Sequence, residues 1–187
     1  MVKELVREGK NIVLYFLDEM RYGLISNYRR SWSKKGKRVV IKNQMEFSSA
    51  YLYSAIAPLT AETEHLIGFS KADSITTEIF LKELKKKHPN EQLIVIWDNA
   101  PFHKKKTLAD IEGLSILALP TYSPQLNPVE RFFEELRKLT ANRIFANLEE
   151  QTELISQALI GYDNDSEAVK RLSSYDWIAR QYREAVS

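Results

Sequence analysis

The sequence predicts an α/β fold in which a mixed central sheet, an antiparallel meander followed by parallel strands, is flanked by helices. The first observation is a series of strand-like runs up to residue 69 joined by short connections, which favours antiparallel pairing. The second is the alternation of helical and strand-like segments after that point, as in parallel sheets. The third is size, because 187 residues with 44% hydrophobic content can bury one core, so we expect one domain.

The meander is predicted from apolar runs bounded by turn residues. Residues 11–17 have strand length and no charged side chain, which indicates a central strand buried on both faces. Residues 1–9 before it are typical of a short helical or frayed lead-in. Further strands are predicted over residues 23–31 and 37–42, around a turn at residues 34–36, and over residues 49–58 and 64–69.

Helices and strands alternate after the meander. A helix capped at residue 73 or 74 runs to about residue 87, where a His-Pro-Asn sequence ends it. Its inward-facing residues are predicted to be Ile75, Ile79, Leu81 and Leu84. Strands follow over residues 92–97 and 114–119, and helices over residues 104–111, 128–142, 148–160 and 166–186. A meander followed by strand, helix, strand and helix is the architecture of the ribonuclease-H-like fold.

The composition excludes several classes of protein. The chain has no cysteine, which rules out disulfides and thiolate metal sites and permits a reducing compartment. No apolar run is long enough to span a membrane, and the first ten residues mix acids with bases, unlike a secretory signal. A net charge of +2 is too small to indicate a partner, so the distribution of charge matters more.

One segment is strongly basic. Between Arg21 and Met45 there are eight basic residues and no acid, and Trp32 and two tyrosines lie among them. Such a segment suits phosphate neutralisation and stacking on nucleic acid, although a solvated hairpin with a lysine-rich turn explains it equally well. The candidate DNA-binding residues are Arg29, Arg30, Lys34, Lys35, Lys37 and Arg38.

Glu130 lies at a well-defined helix start. The loop before it contains Pro124, which restricts the backbone, and Asn127 and Pro128 provide an N-cap and a first helical residue. Asn-x-x-Glu is also a capping-box pattern, in which the glutamate reaches back to the amide of the N-cap residue. Taken alone, this stretch favours a capped core helix over a catalytic one.

Two further acids change that balance. Asp18 follows the first buried strand, Asp98 follows the strand at residues 92–97, and functional groups gather at the carboxyl ends of such strands. Either aspartate alone is equally typical of a turn. Three carboxylates that converge raise one another's pKa, and divalent cations remove that cost. Oxygen ligands suit magnesium or manganese, and a site for two such ions is the setting for phosphoryl transfer.

Three segments, in this order, resemble the DDE catalytic domain of mariner-related insertion-sequence transposases. They read Phe-Leu-Asp-Glu at residues 16–19, Val-Ile-Trp-Asp-Asn-Ala-Pro-Phe-His at residues 95–103, and Leu-Pro-Thr-Tyr-Ser-Pro-Gln-Leu-Asn-Pro-Val-Glu at residues 119–130. Residues 32–38 and 174–178 are also similar to that family, so the resemblance covers nearly the whole chain. The Tyr-Ser-Pro-x-Leu-Asn-Pro-x-Glu signature is highly specific.

The resemblance implies a set of roles and a reaction. Asp18, Asp98 and Glu130 would be the catalytic triad that binds two Mg²⁺ or Mn²⁺ ions. Asn99 and His103 would contact these metal ligands or lie near the DNA. The family's reaction is cleavage of double-stranded DNA at transposon ends, followed by attack of the freed 3′-hydroxyl on target DNA. Asp98 and Glu130 are separated by 31 residues, slightly fewer than is usual in the family. Glu134, one helical turn further, is therefore a reserve candidate.

The resemblance also implies partners and a location. Family members act as homodimers on paired DNA ends, and we expect a cytoplasmic, nucleoid-associated prokaryotic protein. Residues 1–187 are expected to form one catalytic domain without the helix-turn-helix domains that precede it in the family, so end recognition would need a separate or upstream domain. Two alternatives stay open: a ribonuclease-H-like nuclease without strand transfer, and an inactive DNA-binding remnant.

Overall fold

The computed structural model describes residues 2–98 and 111–186, and within them a five-stranded sheet has helices on both faces. The strands are β1 Ile12–Ile25, β2 Met45–Ala57, β3 Glu62–Phe69, β4 Gln92–Trp97 and β5 Leu114–Ala118. The helices are α1 Val2–Arg7, α2 Ser74–Lys87, α3 Pro128–Thr140, α4 Leu148–Asp163, α5 Ser166–Ser173 and α6 Asp176–Val186. None of these described helices has both the length and the apolar character that crossing a bilayer requires.

The sheet is mixed, and the strand order is β3-β2-β1-β4-β5. β1 pairs with β2 and β2 with β3 in antiparallel fashion, while β1 and β4, and β4 and β5, are parallel. Phe16 shows the central position of β1, because it pairs with Ile56 on one side and with Ile96 on the other. The antiparallel meander is confirmed with three strands instead of the five predicted, and the parallel strands and the central first strand are confirmed.

β1 separates two apolar clusters. Phe16 and Met20 face the cluster under α3 and α4, whereas Tyr15 and Leu17 face the cluster under α2. Neighbouring residues of a strand point to opposite faces, so consecutive buried residues mean that both faces of β1 are covered. Asp18 belongs to the same alternate series as Phe16, and its side chain therefore lies on the α3 face.

The predicted end of the first strand at residue 17 is wrong. β1 continues to Ile25, so Asp18 lies inside the strand and not at its end. The reason is the antiparallel partner, because β2 keeps pairing with β1 after β4 has ended, including the pair Asp18 and Ser54. β2 also begins at Met45, four residues before the predicted strand over residues 49–58.

Residues 37–42 do not form the predicted strand, and the strand predicted over residues 23–31 is strand only as far as Ile25, where β1 ends. Residues 26–44 form a loop without regular strand structure, here called the basic loop. Its predicted turn is present, because the backbone N–H of Lys37 donates to the carbonyl oxygen of Lys34 at 2.9 Å. Apolar residues in this segment do not reach the core, as the 89% exposure of Val40 shows. The β-branched residues therefore have no sheet face to pack against.

The helix over residues 74–87 is confirmed as α2, and its cap is Asp73, which accepts hydrogen bonds from two backbone N–H groups of the first turn. The predicted inward face is only half right. Leu81 and Leu84 are buried, but Ile75 is 67% and Ile79 is 45% exposed. The buried stripe instead runs through Phe80 and the threonines of the first turn, because α2 is rotated relative to the predicted face.

The carboxyl-terminal helices differ from the prediction in one respect. The single helix expected over residues 166–186 is two helices, α5 and α6, separated at Ser174. The Ser174 hydroxyl donates to the carbonyl oxygen of Pro58, which ties the break to the end of β2. The helix predicted over residues 104–111 lies outside the described residues except for Ile111, which is not helical.

Candidate active site

The register of the parallel pair brings two carboxylates together. β1 and β4 stay in register up to Phe16 and Ile96. Asp18 and Asp98 each lie two residues further, so they stand at matching positions where β4 ends and β1 continues. The carboxyl end of β4, and not that of β1, is therefore the edge at which the candidate site forms.

Asn127 fixes the start of α3 against β1. Its side-chain nitrogen donates to the carbonyl oxygen of Leu17 at 2.9 Å, and its side-chain oxygen accepts from the N–H of Val129 at 3.1 Å. The residue is only 2% exposed. One buried amide thus caps the helix and attaches it to the residue before Asp18, which sets Glu130 near the aspartates.

Glu130 is not the reciprocal partner of a capping box. The backbone N–H of Asn127, which such a glutamate would accept from, donates instead to the carbonyl oxygen of Pro124 at 2.9 Å. The Glu130 carboxylate faces the side chain of Arg137, with 3.5 Å between Oε2 and Nη1. The ordinary explanation for Glu130 therefore fails in the structure, although Asn127 itself is the predicted N-cap.

The three predicted carboxylates line one open pocket. Asp18, Asp98 and Glu130 contribute to it together with Asn127 and the loop of residues 119–124. The carboxylates come from a strand interior, a strand end and a helix start, and the fold alone brings them together. Asn99 and His103, expected behind these ligands or near the DNA, lie outside the described residues.

The surroundings of Asp18 disfavour its charged form. Burial raises the pKa of Asp18 to about 8, the negative charges of Glu130 and Asp98 add to this, and a hydrogen bond from the N–H of Glu19 acts against it. The carboxyl group therefore holds its proton at neutral pH when no cation is nearby. A carboxylate that is costly to ionise among other acids has the properties expected of a cation ligand.

The donor set fits a hard divalent cation. All three side chains offer oxygen, which suits Mg²⁺ or Mn²⁺, and a cation would lower the cost of ionising Asp18 beside the other two acids. Within residues 2–98 and 111–186, no three Asp, Glu or His side chains are yet close enough to hold a metal ion. Glu130 is directed toward Arg137, and a bound cation would compete with that arginine for the carboxylate.

Glu134, the reserve candidate, is occupied by two arginines. Its Oε2 lies 2.6 Å from Arg29 Nη2 and its Oε1 lies 3.0 Å from Arg137 Nη1. The hydrogen bond from Arg29 is the main reason why the pKa of Glu134 is lowered. Glu134 is not among the residues that line the pocket. It links the basic loop to α3, one turn from Glu130.

The basic loop is attached beside the site. Asn142 accepts from the N–H of Arg29 at 3.0 Å and donates to its carbonyl oxygen at 2.9 Å, so the root of the loop is fixed to the end of α3. Arg29 is half-buried and paired with Glu134. The other DNA-binding candidates are exposed, and they are Arg30, Lys34, Lys35, Lys37 and Arg38.

Sequence reasoning missed Arg137 and the contact of Asn127 with Leu17. The spacing of Arg137, three residues after Glu134 and seven after Glu130, could have placed it on their helix face. No local signal could have shown that Asn127 reaches β1.

Comparison with known families decides the classification. The family described as DDE superfamily endonuclease matches residues 13–152, a range that includes Asp18, Asp98 and Glu130. The chain belongs to this family. Comparison of this DDE endonuclease with curated proteins finds no significant match. The predicted membership of the DDE superfamily is confirmed.

Solved structures confirm the fold. The DDE endonuclease is similar to the Mos1 transposase in a paired-end complex with the left transposon end, with 17% identity and a TM-score of 0.65 over 99% of this chain and 57% of that one. A Mos1 mariner paired-end complex with Mn gives the same identity and TM-score over 99% of this chain and 58% of that one. The catalytic domain of Mos1 mariner transposase has 15% sequence identity and a TM-score of 0.59, over 99% of this chain and 86% of that one.

These likenesses establish the ribonuclease-H-like fold of the DDE endonuclease. The chain spans little more than half the length of the transposase chain in the paired-end complexes.

Proposed function

We propose that this DDE endonuclease is the catalytic domain of a transposase, which cleaves DNA at transposon ends and joins the ends to target DNA with the help of divalent metal ions. The main support is the convergence of Asp18, Asp98 and Glu130 on one pocket. The match to the endonuclease family and the fold shared with Mos1 transposase, whose structures include transposon-end DNA and Mn, point the same way.

Asp18, Asp98 and Glu130 would hold two Mg²⁺ or Mn²⁺ ions. When bound, such ions supply Lewis acidity and neutralise the charge that develops on the reacting phosphate. Residues of the protein position the carboxylates and balance their charge before the ions bind. Asn127 keeps the start of α3 on β1, Asp18 keeps a proton until a cation replaces it, and Arg137 balances the charge of Glu130.

Two phosphoryl transfers make up the proposed reaction. In cleavage, the oxygen of water bonds to phosphorus while the bond from phosphorus to the 3′-oxygen breaks, which leaves a 5′-phosphate and a 3′-hydroxyl. In joining, that 3′-oxygen bonds to a phosphorus of the target while the target's own bond to its 3′-oxygen breaks. The proton of the attacking group passes in net terms to the departing 3′-oxygen.

The basic loop would bind the DNA backbone next to this pocket. Its exposed cations can neutralise phosphates without reading sequence, and Arg29 holds the loop beside α3. The proposal also includes a homodimer that acts on paired ends and an upstream or separate helix-turn-helix domain that recognises them. It places the protein at the nucleoid of a prokaryotic cytoplasm. These parts of the proposal are supported by the family resemblance of the sequence.

The test is metal binding and DNA cleavage by one set of variants. Titration calorimetry with Mn²⁺ should show binding that is lost in Asp18→Asn and Glu130→Gln, and Mn²⁺-dependent plasmid nicking should be lost in both and in Asp98→Asn. Glu135→Gln is the matched control, because it removes a carboxylate of the same helix that is paired with Lys138 and does not line the pocket, so it should leave both activities. Full cleavage by Asp98→Asn would show that the triad is wrongly assigned.

The products separate the alternatives. DNA molecules joined through a new phosphodiester bond would establish strand transfer, whereas nicks alone would indicate a nuclease of the same fold. Salt-dependent DNA binding with no cleavage in Mg²⁺ or Mn²⁺ would identify an inactive remnant and overturn the proposed activity.

A further inference from the structure

Tyr122 stands at the rim of the pocket that holds the three carboxylates. It is the one aromatic residue among the described residues that line this pocket. Its side chain is 95% exposed, so the ring gains almost nothing from packing in the protein. A large ring left in water beside a candidate active site is available to a ligand.

The backbone at Tyr122 is held in a costly conformation. Its φ is +58°, in the left-handed region that a residue with a side chain enters at a cost of about 1–2 kcal/mol. Asn or Gly would be the usual choice there. Strain of this kind persists only where the surrounding structure fixes it, and it concentrates at functional sites.

The loop around Tyr122 is fixed at both ends. On one side the N–H of Leu119 donates to the carbonyl oxygen of Trp97 at 2.7 Å, and on the other the side-chain nitrogen of Asn127 donates to the carbonyl oxygen of Leu17 at 2.9 Å. Pro120 and Pro124 flank the tip and restrict the backbone further. The ring is therefore presented on a rigid support.

The geometry determines which part of a DNA substrate the ring can meet. A scissile phosphate at Asp18, Asp98 and Glu130 leaves the neighbouring nucleoside at the rim, where Tyr122 stands. A base inside a duplex is already stacked on both faces, so a ring can stack only on a base that is unpaired or displaced. Stacking of this kind accepts any base, because each has a π-face.

We propose that Tyr122 is a positioning residue that stacks on an unpaired nucleobase next to the scissile phosphate and holds that phosphate over the carboxylates. The inference rests on the proposed DNA cleavage and adds the state of the DNA that the pocket accepts. The ring performs this role and the hydroxyl does not, so Tyr122→Phe is the conservative variant and Tyr122→Ala the disruptive one.

The experiment uses a short duplex with a splayed, unpaired arm that carries 2-aminopurine at the junction. Binding is followed in Ca²⁺ by fluorescence anisotropy, and stacking by quenching of 2-aminopurine at saturating protein. Wild type and Tyr122→Phe should quench equally. Tyr122→Ala should bind about five- to a hundredfold more weakly and lose the quenching at saturation. Because the ring is exposed, the Tm values of Tyr122→Phe and Tyr122→Ala should match that of wild type.

Two controls separate the ring from its surroundings. Tyr122→Gly relieves the backbone strain as well as removing the ring, so it should lose quenching to the same degree as Tyr122→Ala. Trp32→Ala removes the fully exposed aromatic of the basic loop and should keep the quenching at saturation. Quenching that survives in Tyr122→Ala, or that disappears only in Trp32→Ala, would overturn the inference.

Plasmid nicking in Mn²⁺ with the same preparations distinguishes failure of the inference from failure of the proposed function. If wild type nicks DNA but quenching is independent of Tyr122, the stacking role is wrong and the nuclease assignment stands. If quenching depends on Tyr122 but wild type does not nick, the base contact stands and the cleavage proposal is overturned.

Discussion

The side-chain nitrogen of Asn127 donates a 2.9 Å hydrogen bond to the backbone carbonyl oxygen of Leu17. This contact joins the first residue before α3 to the residue before Asp18, and it is fully enclosed by the protein. The bond therefore sets the separation of two elements that each supply a carboxylate to the pocket. Its strength should govern both the stability of the fold and the alignment of the site.

Replacement of Asn127 tests this bridge. Asn127→Ala removes the helix cap and leaves the Leu17 carbonyl oxygen buried without its donor, which together should cost about 2–4 kcal/mol of unfolding free energy. Asn127→Ser keeps a capping oxygen but is too short to reach Leu17, so it should cost about 1–3 kcal/mol. Urea denaturation measures both. Equal stability of Asn127→Ser and wild type would mean that the bridge to Leu17 contributes little.

Local signals in the sequence were sufficient for some parts of this molecule. The start of α3 is encoded by Asn127 and Pro128, and the end of β4 by the apolar run before Asp98, so both acids were expected near element ends. The alternation of segments also gave the mixed sheet. Each of these features depends on residues within a few positions of one another.

Features set by distant partners were not predictable in the same way. Asp18 and Glu19 interrupt an apolar run and so resemble a strand end, yet pairing with β2 carries the strand past them. The isoleucines of α2 point outward because packing on the sheet sets the rotation of that helix. The left-handed backbone of Tyr122 gave no signal in the sequence, because neither Gly nor Asn, the usual residues for that conformation, marks the position.

Asp18 should make the metal-free protein less stable as pH rises. Its pKa lies at about 8 in the folded protein against an ordinary value of 3.8. The folded state therefore keeps a proton that the unfolded chain has lost between these values, and unfolding free energy falls as pH increases through that window. In EDTA at pH 7.5, Asp18→Asn should be more stable than wild type by at least about 2 kcal/mol.

The difference between wild type and Asp18→Asn is the informative quantity, because other groups titrate in both proteins. It should grow between pH 5 and pH 8 and level off above pH 8. Denaturation curves at several pH values would show this. A difference that stays constant across the range would mean that Asp18 is ionised throughout and that its burial does not hold the proton.

Arg137 should weaken metal binding in the absence of DNA. Its guanidinium faces Glu130 and must give up part of that contact when a cation binds the carboxylate. Arg137→Ala should therefore bind Mn²⁺ more tightly, by about two- to fivefold, as expected for a partly exposed ion pair. Arg131→Ala is the matched control, because it removes the same charge from the same helix at an exposed position.

Titration calorimetry on the two variants distinguishes two roles for Arg137. Equal tightening in both would reflect only the net charge of the protein. Weaker binding in Arg137→Ala would show that the arginine holds Glu130 in the orientation that the metal needs, and would contradict competition between Arg137 and the cation for this carboxylate.

The exposed lysines of the basic loop should contribute to DNA affinity without regard to sequence. Replacing Lys34, Lys35 and Lys37 with alanine removes three cations that are open to solvent, and each lost phosphate contact releases one fewer counterion. The slope of log affinity against log salt concentration should therefore flatten by about 1 to 3, equally on unrelated duplexes. Fluorescence anisotropy between 50 and 200 mM salt, a range of roughly fourfold, measures this slope.

The matched control replaces Lys82, Lys86 and Lys170 with alanine, which changes the net charge by the same amount. Each of these lysines is paired with a glutamate of its own helix. Their loss should leave the slope nearly unchanged, because their charge is already balanced. If both triple variants flatten the slope alike, DNA is responding to overall charge and the basic loop is an ordinary solvated turn. If only the loop variant does so, the loop is part of the DNA-binding surface beside Glu134 and the pocket.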